Sequence, residues 1–170
     1  MEFEEFCAVI KDVPETSHLT YEPAWLWFHR EWLPRAITSL NGCTDKMIRL
    51  PMYTLNKYGK NILVNMFRKN VFQANELVTD IILHSEIESI PEGAFEGCKR
   101  LERITIPMKV REIGVNTFKG CESLLDVYYE RTEERWKEIQ RYHFPGNDAL
   151  ERATIHFGCD FSVFDSKNDE

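Results

Sequence analysis

The strongest constraint on the fold is a sequence repeat with a period of 23 residues. The stretch EGAFEGCKRLERITIP, residues 92 to 107, returns as VNTFKGCESLLDVYYE, residues 115 to 130, so that Phe95 matches Phe118. A third, weaker copy covers residues 72 to 83. One copy cannot bury its apolar face alone, so the chain is predicted to be a solenoid of stacked copies.

Each copy contains the pattern of a short helical turn and that of a short strand. Leu101, Ile104 and Ile106 have the L-x-x-L-x-L spacing of leucine-rich repeats. Strand alternation places Ile104 and Ile106 on one face. Phe95 and Cys98 lie on one side of a helical turn and are expected to close the far wall of the coil.

Two more rungs extend the repeat at its ends. LERATIHF, residues 150 to 157, matches LERITIPM, residues 101 to 108, and predicts a last strand with Ala153 in the buried column below Val127. MIRLP, residues 47 to 51, predicts a first rung. The predicted fold is therefore an α/β solenoid with a short parallel sheet of about four or five strands.

These residues resemble the bacterial BspA-like leucine-rich repeats, whose units read I-x-x-x-A-F-x-x-C-x-x-L-x-x-I-x-I-P. The resemblance covers residues 70 to 139 closely, including YYERTEERWKEI, in which Arg131 stands where glycine is usual, and extends more loosely to residue 157. It implies a right-handed solenoid with a parallel sheet on its concave side and a binding role without catalysis. Many relatives are large surface or secreted proteins.

The segments outside the repeats are predicted to be caps. Residues 20 to 42 have apolar residues at helical spacing and hold three tryptophans, which predicts a helical N-terminal cap or, alternatively, an aromatic anchor for a partner. Residues 53 to 70 predict a second helical segment. Thr132 predicts the start of a C-terminal capping helix with Trp136 and Ile139 on its buried side.

The predicted organisation is an N-terminal helical cap region at residues 1–46, the solenoid with its C-terminal capping helix and strand at 47–159, and a disordered acidic tail at 160–170. The net charge of -7 belongs to the ends. Residues 1–22 hold six acids and one base, whereas residues 23–159 hold 18 acids and 19 bases. Such a body offers no basic stripe for phosphates, which disfavours direct nucleic-acid binding.

The first residues of the chain and its cysteines indicate in which cellular compartment the protein is expected. MEFEEFCAVIKDVPE is acidic where a signal peptide is basic, and no apolar stretch reaches the ~18 residues of a membrane span. We therefore expect a soluble, cytoplasmic protein that does not contact membranes. The five cysteines form no CxxC pair, and Cys98 and Cys121 are expected to be buried, reduced thiols.

Candidate partner-binding residues are those that point outward from the predicted strands. They form three columns: Asp80, Arg103, Asp126 and Arg152; Ile82, Thr105, Tyr128 and Thr154; His84, Pro107, Glu130 and His156. The first column alternates in sign, so its members either neutralise one another along the sheet or recognise a partner. Ile82 and Tyr128 are expected to be exposed and to form a docking site. Trp27, off the main apolar stripe of the predicted N-terminal helix, is the competing candidate.

No sequence motif for catalysis is recognisable, since the five histidines are scattered and neither H-E-x-x-H nor G-x-S-x-G occurs. We expect a non-enzymatic protein–protein interaction module that uses no cofactor and no metal. Two other hypotheses remain open. One is a small intracellular or phage-encoded inhibitor that blocks a nucleic-acid-handling enzyme or complex, and the other is a fragment of a surface adhesin.

Overall fold

The computed structural model describes residues 1–10, 20–23, 35–39, 44–55, 58–140 and 145–162. The helices are α1 (Phe3–Ile10), α2 (Glu133–Gln140) and α3 (Asp148–Arg152). The strands are β1 (Thr20–Pro23), β2 (Arg35–Ser39), β3 (Met47–Arg49), β4 (Tyr53–Leu55), β5 (Asn61–Phe67), β6 (Asp80–Ile82), β7 (Ser89–Ile90), β8 (Arg103–Ile106), β9 (Glu112–Ile113), β10 (Asp126–Tyr129) and β11 (Thr154–Phe157).

A parallel sheet runs through the repeats in the order β11-β10-β8-β6-β3, which gives five strands among the described residues. Ile81 pairs with Ile104, and Ile104 with Val127, so the 23-residue period is the register of the sheet. At the N-terminal end of the same column, Ile48 of β3 pairs with Ile81. The predicted solenoid and its first rung are therefore confirmed.

The register of the last rung differs from the prediction. Thr154 pairs with Asp126 and Ile155 with Val127, so Ala153 does not continue the buried column and Arg152 does not continue the charged one. Arg152 is instead the last residue of α3. The helical turn takes up the first part of LERATIHF, and the strand begins two residues later than the sequence match indicates.

The far wall of the coil is a stack of phenylalanines. Phe72, Phe95 and Phe118 are all fully buried, and their ring centres lie 5.1 and 5.4 Å apart along the stack. The buried thiols of Cys98 and Cys121 donate hydrogen bonds to the carbonyl oxygens of the phenylalanines one rung earlier, at 3.0 and 3.2 Å. The predicted column is confirmed, and both cysteines are buried free thiols.

Two backbone positions explain why small residues recur in the repeat. Gly97 and Gly120 have φ angles of 76° and 74°, and Ala74 adopts the same left-handed region at 55° in the weaker first copy. An L-residue pays a steric cost there that glycine avoids. Gly114 serves a different purpose, because a Cβ atom there would overlap the backbone of Glu92 in the neighbouring rung.

The helices predicted over residues 20–42 and 53–70 are wrong where the structure describes these segments. Strands β1, β2, β5 and β4 form a sheet in that order. In β5, NILVNMF buries Ile62, Val64 and Phe67, and its β-branched residues pack well on a half-buried sheet. Residues 24–34, which include all three tryptophans of the predicted cap, lie outside the described residues. So does most of the predicted disordered tail, from residue 163 onward.

The predicted C-terminal cap is confirmed. Helix α2 begins one residue after Thr132, carries Glu133 and Glu134 in its first turn, and buries Trp136 and Ile139 against the core. Asn147 then closes the far wall, because its side-chain oxygen accepts a hydrogen bond at 2.7 Å from the backbone nitrogen of Phe118. In the earlier rung the Phe95 nitrogen donates to a backbone carbonyl instead.

Candidate functional site

The face of the five-stranded sheet opposite the main core, here called the concave face, is covered by helix α1. Phe3, Phe6 and Cys7 follow i, i+3, i+4 spacing and pack onto this face, whereas Glu4 and Glu5 are exposed. They form a second apolar cluster with Ile82, Tyr128, Cys159, Phe161 and Met47. The helix and the segment after β11 therefore fill the surface that the sequence predicted to be open.

Aromatic contacts hold α1 in place. The fully buried ring of Phe6 is stacked on Tyr128 with 4.6 Å between ring centres and 14° between ring planes. Phe3 packs against Tyr128 and Phe161 at 5.4 and 5.6 Å. Tyr128 stacks in turn on His156 at 4.9 Å. Tyr128 is thus the centre of an aromatic platform, and such contacts add to the gain from burial alone.

Charged side chains frame this platform. Arg103 forms an ion pair with the buried Asp80, and its guanidinium carbon lies 5.9 Å from the centre of the Phe6 ring. The hydrogen bond to Asp80 is the main reason why the pKa of Arg103 is raised, so the cation is secure at any ordinary pH. The imidazole of His156 contacts Asp126 at 2.8 Å. A ring bound between Tyr128 and Arg103 therefore receives both stacking and cation–π attraction.

The backbone at the start of α1 is also held. The hydroxyl of Tyr128 donates a hydrogen bond to the carbonyl oxygen of Met1 at 3.0 Å, and the Met1 amino group lies 3.2 Å from the Asp126 carboxylate. Burial, and next the negative charge of Asp126, raise the pKa of Tyr128, so its hydroxyl remains a donor. Polar groups on the concave face thus fix the position of a bound helix as well as its side chains.

In the structure the predicted columns on β6, β8 and β10 line up as expected, but the residues that β11 adds to them are different. One column contains Asp80, Arg103, Asp126 and Thr154, and the next contains Thr105, Tyr128 and His156, which places His156 two positions from its predicted column. Asp80 and Arg103 neutralise each other in an ion pair along the first column, as the first of the two interpretations of the sequence predicted.

The expected exposure of Ile82 and Tyr128 is wrong, since their exposed fractions are 1% and 0%. Strand alternation does send both away from the core, but α1 and the segment with Phe161 cover them. Thr105 is also fully buried. Its hydroxyl accepts a hydrogen bond from the backbone nitrogen of Leu83 and donates one to the Leu83 carbonyl oxygen. The partner-binding role of this face remains a prediction.

The third predicted column is only partly exposed, since Glu130 and His156 are half-buried and Pro107 is buried. His84 is 5% exposed, and burial lowers its pKa to about 4, so the ring is neutral. Its Nδ1 accepts a hydrogen bond from the backbone nitrogen of Glu86 at 3.2 Å, while its Nε2 is buried without a partner among the described residues. Glu130 accepts a hydrogen bond at 2.7 Å from the backbone nitrogen of Met108. Trp27 lies outside the described residues.

The site residues that sequence reasoning missed are Phe3, Phe6 and Phe161. The spacing of Phe3, Phe6 and Cys7 was visible in MEFEEFCAVI and indicates an amphipathic helix. Over the ranges that the structure describes, no group of three or more histidine, cysteine or acidic side chains could hold a metal ion. Within the same ranges no helix is long and apolar enough to cross a membrane.

Solved leucine-rich repeat proteins from three bacteria share this fold. The T. pallidum leucine-rich repeat protein matches with a TM-score of 0.56 at 22% identity, over 69% of this chain and 53% of its own. A leucine-rich repeat protein from Bacteroides capillosus matches with 0.59 at 17% identity, over 82% and 94%. A leucine-rich cell surface protein from Faecalibacterium prausnitzii matches with 0.53 at 20%, over 67% and 32%. At these identities the similarity shows the fold alone.

The chain thus spans less than two thirds of the T. pallidum and Faecalibacterium proteins. No curated protein matches it significantly. Residues 54–163 match, in six copies, the family described as the BspA type leucine rich repeat region. The repeat register and the stacked phenylalanines agree with this match, which covers more than half of the sequence, and the protein therefore belongs to the BspA-type leucine-rich repeat family.

Proposed function

We propose that the protein is a non-enzymatic interaction module whose concave face binds an amphipathic, aromatic-rich helix of a protein partner. The observation that carries the proposal is the docking of α1, which offers Phe3 and Phe6 to this face and keeps its glutamates outside. Leucine-rich repeats generally act by binding rather than by catalysis. The chain's own helix therefore serves as a guide to the chemistry of the ligand.

The contacts of Phe6 define what the face would select. A planar ring fits between Tyr128 and the guanidinium of Arg103, and a second ring one helical turn away fits against Phe161. Helix-in-groove recognition commonly uses anchors at i and i+3 or i+4. A partner helix with two aromatic residues at this spacing and an acidic outer face would reproduce the contacts of α1.

Helix α1 would compete with such a partner. A segment tethered to its own site acts at an effective concentration on the order of millimolar, which an external helix has to exceed in binding strength. The apparent affinity of the partner is then reduced by the fraction of molecules in which α1 is docked. A chain whose α1 is unseated should bind the external helix more tightly than the native chain.

A peptide binding experiment tests the proposal. The full-length chain carrying Phe3→Asp and Phe6→Asp is titrated into a fluorescently labelled peptide that copies residues 1–12, and the anisotropy is measured. We expect saturable binding, and weaker binding to the native chain. A photo-reactive phenylalanine analogue at the position of Phe6 in the peptide should crosslink to β8 or β10, which hold Arg103 and Tyr128.

The control is the same peptide with aspartate at the position of Phe6, which should not bind. Equal binding of both peptides, or crosslinks that map away from β8 and β10, would show that α1 is a permanent cover and that the concave face recognises no helix. The inhibitor and adhesin hypotheses differ in the partner that they name and remain predictions, as does a cytoplasmic location.

A further inference from the structure

A second surface lies on the other side of β10 from α1. The turn after β8, residues 108–111, and helix α2 border an open cleft with a volume of about 780 Å³. Tyr129, the neighbour of Tyr128 in β10, forms part of its floor and packs on Trp136 with 5.1 Å between ring centres. Met108, which is 42% exposed, and the buried Ile139 add apolar surface. We call this site the basic cleft.

Four cations and one acid, Glu138, line the basic cleft, and two of the cations have no ion pair within the part of the chain that the structure describes. Lys109 pairs with Glu86 at 2.6 Å, and Arg135 pairs with a glutamate of its own helix. Arg111 and Arg131 are exposed, and neither forms a side-chain ion pair with any of the described residues. The cleft therefore carries unpaired positive charge next to apolar surface.

This local charge opposes that of the whole chain, which is -7. Burial raises the pKa of Tyr129 above its ordinary value; the positive charges of Arg131 and Arg135 act in the opposite direction, and the smaller effects of the negative charges of Glu138 and Glu130 add to that of burial. The floor of the cleft thus lies in the field of these guanidinium groups. A concave site bordered by low-dielectric protein concentrates such a field and attracts anions.

We propose that the basic cleft binds an acidic linear segment of a protein partner. Carboxylates of the segment would pair with Arg111 and Arg131, and an apolar side chain between them would pack against Met108 and Tyr129. Arginine is well suited to this role because its planar guanidinium binds carboxylates through two hydrogen bonds. This inference is independent of helix binding at the concave face.

An acidic peptide fits the observations better than a nucleic acid does. Nucleic-acid sites follow a phosphate backbone with a series of cations, whereas here Arg111 and Arg131 are confined to one cleft on an acidic protein. The exposed Met108 and the apolar floor also have no counterpart along a phosphate backbone, but they suit a leucine or phenylalanine side chain flanked by acids.

The test uses the full-length protein and the fluorescently labelled peptide Gly-Asp-Glu-Phe-Glu-Asp-Gly. Binding is followed by anisotropy at low salt, with the native chain, Arg111→Gln, Arg131→Gln and the double variant. Exposed charge pairs are weak individually, so each replacement should reduce the affinity about two- to fivefold and the double replacement roughly tenfold. Added salt should weaken binding in the native chain. Neither arginine has a side-chain ion pair to lose among the residues that the structure describes, so the melting temperature should change little.

The matched control variant is Arg100→Gln, because Arg100 is exposed and precedes β8 while the cleft residues follow it. It removes the same charge and should leave the affinity unchanged. The peptide Gly-Asn-Gln-Phe-Gln-Asn-Gly should not bind, and Gly-Asp-Glu-Ala-Glu-Asp-Gly should bind more weakly. Equal losses in Arg100→Gln, binding of the neutral peptide, or no binding at all would overturn the proposal. A single-stranded oligonucleotide that binds more tightly through Arg111 and Arg131 would overturn it in favour of a phosphate ligand.

Discussion

Phe6 and Phe95 are both fully buried, yet we expect their replacement by alanine to have different costs. Phe95 lies inside the solenoid between Phe72 and Phe118, and Phe67 touches it from the side at 5.9 Å. Phe6 belongs to α1, which rests on the outside of the sheet. The difference lies in what each site can do after the ring has been removed.

The magnitudes follow from this geometry. Phe95→Ala leaves a cavity between stacked rungs that cannot separate, so it should lower the free energy of unfolding by about 3–5 kcal/mol. In Phe6→Ala the short helix can detach as a unit and leave the rest folded. Its cost is then limited to the free energy of docking α1, about 1.5–3 kcal/mol if most of it comes from burying this ring.

Urea unfolding and amide hydrogen exchange separate the two effects. Phe95→Ala should lower the unfolding midpoint strongly while the whole solenoid still unfolds as one unit. Phe6→Ala should lower it less and should expose the amides of residues 3–10 to exchange, with those of β8 and β10 still protected. The conservative Phe6→Leu variant should retain most of the protection of α1, since it keeps apolar contact with Tyr128.

Equal losses of stability in Phe6→Ala and Phe95→Ala, with exchange increased throughout the chain, would refute this reasoning. Helix α1 would then be part of a single cooperative core. It could not be displaced by a partner without unfolding the protein, and the proposed function would fail with it.

Three further predictions concern single buried groups. His84 is held neutral with a pKa of about 4, so stability should be lost as the pH falls from 6.5 to 4, by about 2 kcal/mol at pH 5, and His84→Leu should remove this dependence in urea titrations. Burial raises the pKa values of Cys98 and Cys121 to about 11 and 12, so a thiol reagent at pH 8 should label neither before denaturant is added. Gly114→Ala forces a methyl group into the backbone of the preceding rung and should cost about 2 kcal/mol or more in thermal unfolding, whereas Gly59→Ala, with open space around it, should cost about 1 kcal/mol from backbone strain alone.

The solenoid was predictable because its information is local and repeated. A match such as Phe95 with Phe118 recurs at one spacing, and each rung uses the same positions for strand, turn and wall. The register of the last strand was predicted wrongly, because sequence similarity between two segments does not determine how their strands are hydrogen-bonded. LERATIHF resembles LERITIPM, yet α3 continues through Arg152 and moves Ile155 into the column that Ala153 was expected to fill.

The segments before the repeats were harder because they carry no period. Short apolar runs are ambiguous between helix and strand, and NILVNMF was assigned to a helix although its neighbours in the sheet make it a strand. The edge strand β4 pairs with it through Tyr53 and Leu63, a contact that propensity alone does not contain. Pairing with neighbouring strands, which the local sequence does not encode, makes these segments strands and not helices.

The candidate site was predicted in its residues but not in its exposure. Alternation correctly sent Asp80, Ile82 and Tyr128 to the face opposite the core. What covers that face comes from the far ends of the chain, and the bond between Tyr128 and Met1 joins residues 127 positions apart. No pattern within a repeat can indicate such a contact. Only the helical spacing of Phe3 and Phe6 hinted that the first residues need an apolar surface to bind.

The two proposed surfaces meet in a single strand. Tyr128 points to α1 and Tyr129 to the core and the basic cleft, because successive side chains of β10 alternate between faces. Hydrogen bonds to β8 and β11 hold β10 on both sides, so we expect its position to stay the same when α1 leaves. Phe6→Ala should therefore leave the affinity for the acidic peptide unchanged. A change of more than about twofold would show that α1 and the cleft are energetically coupled, and would mean that β10 shifts when the helix leaves.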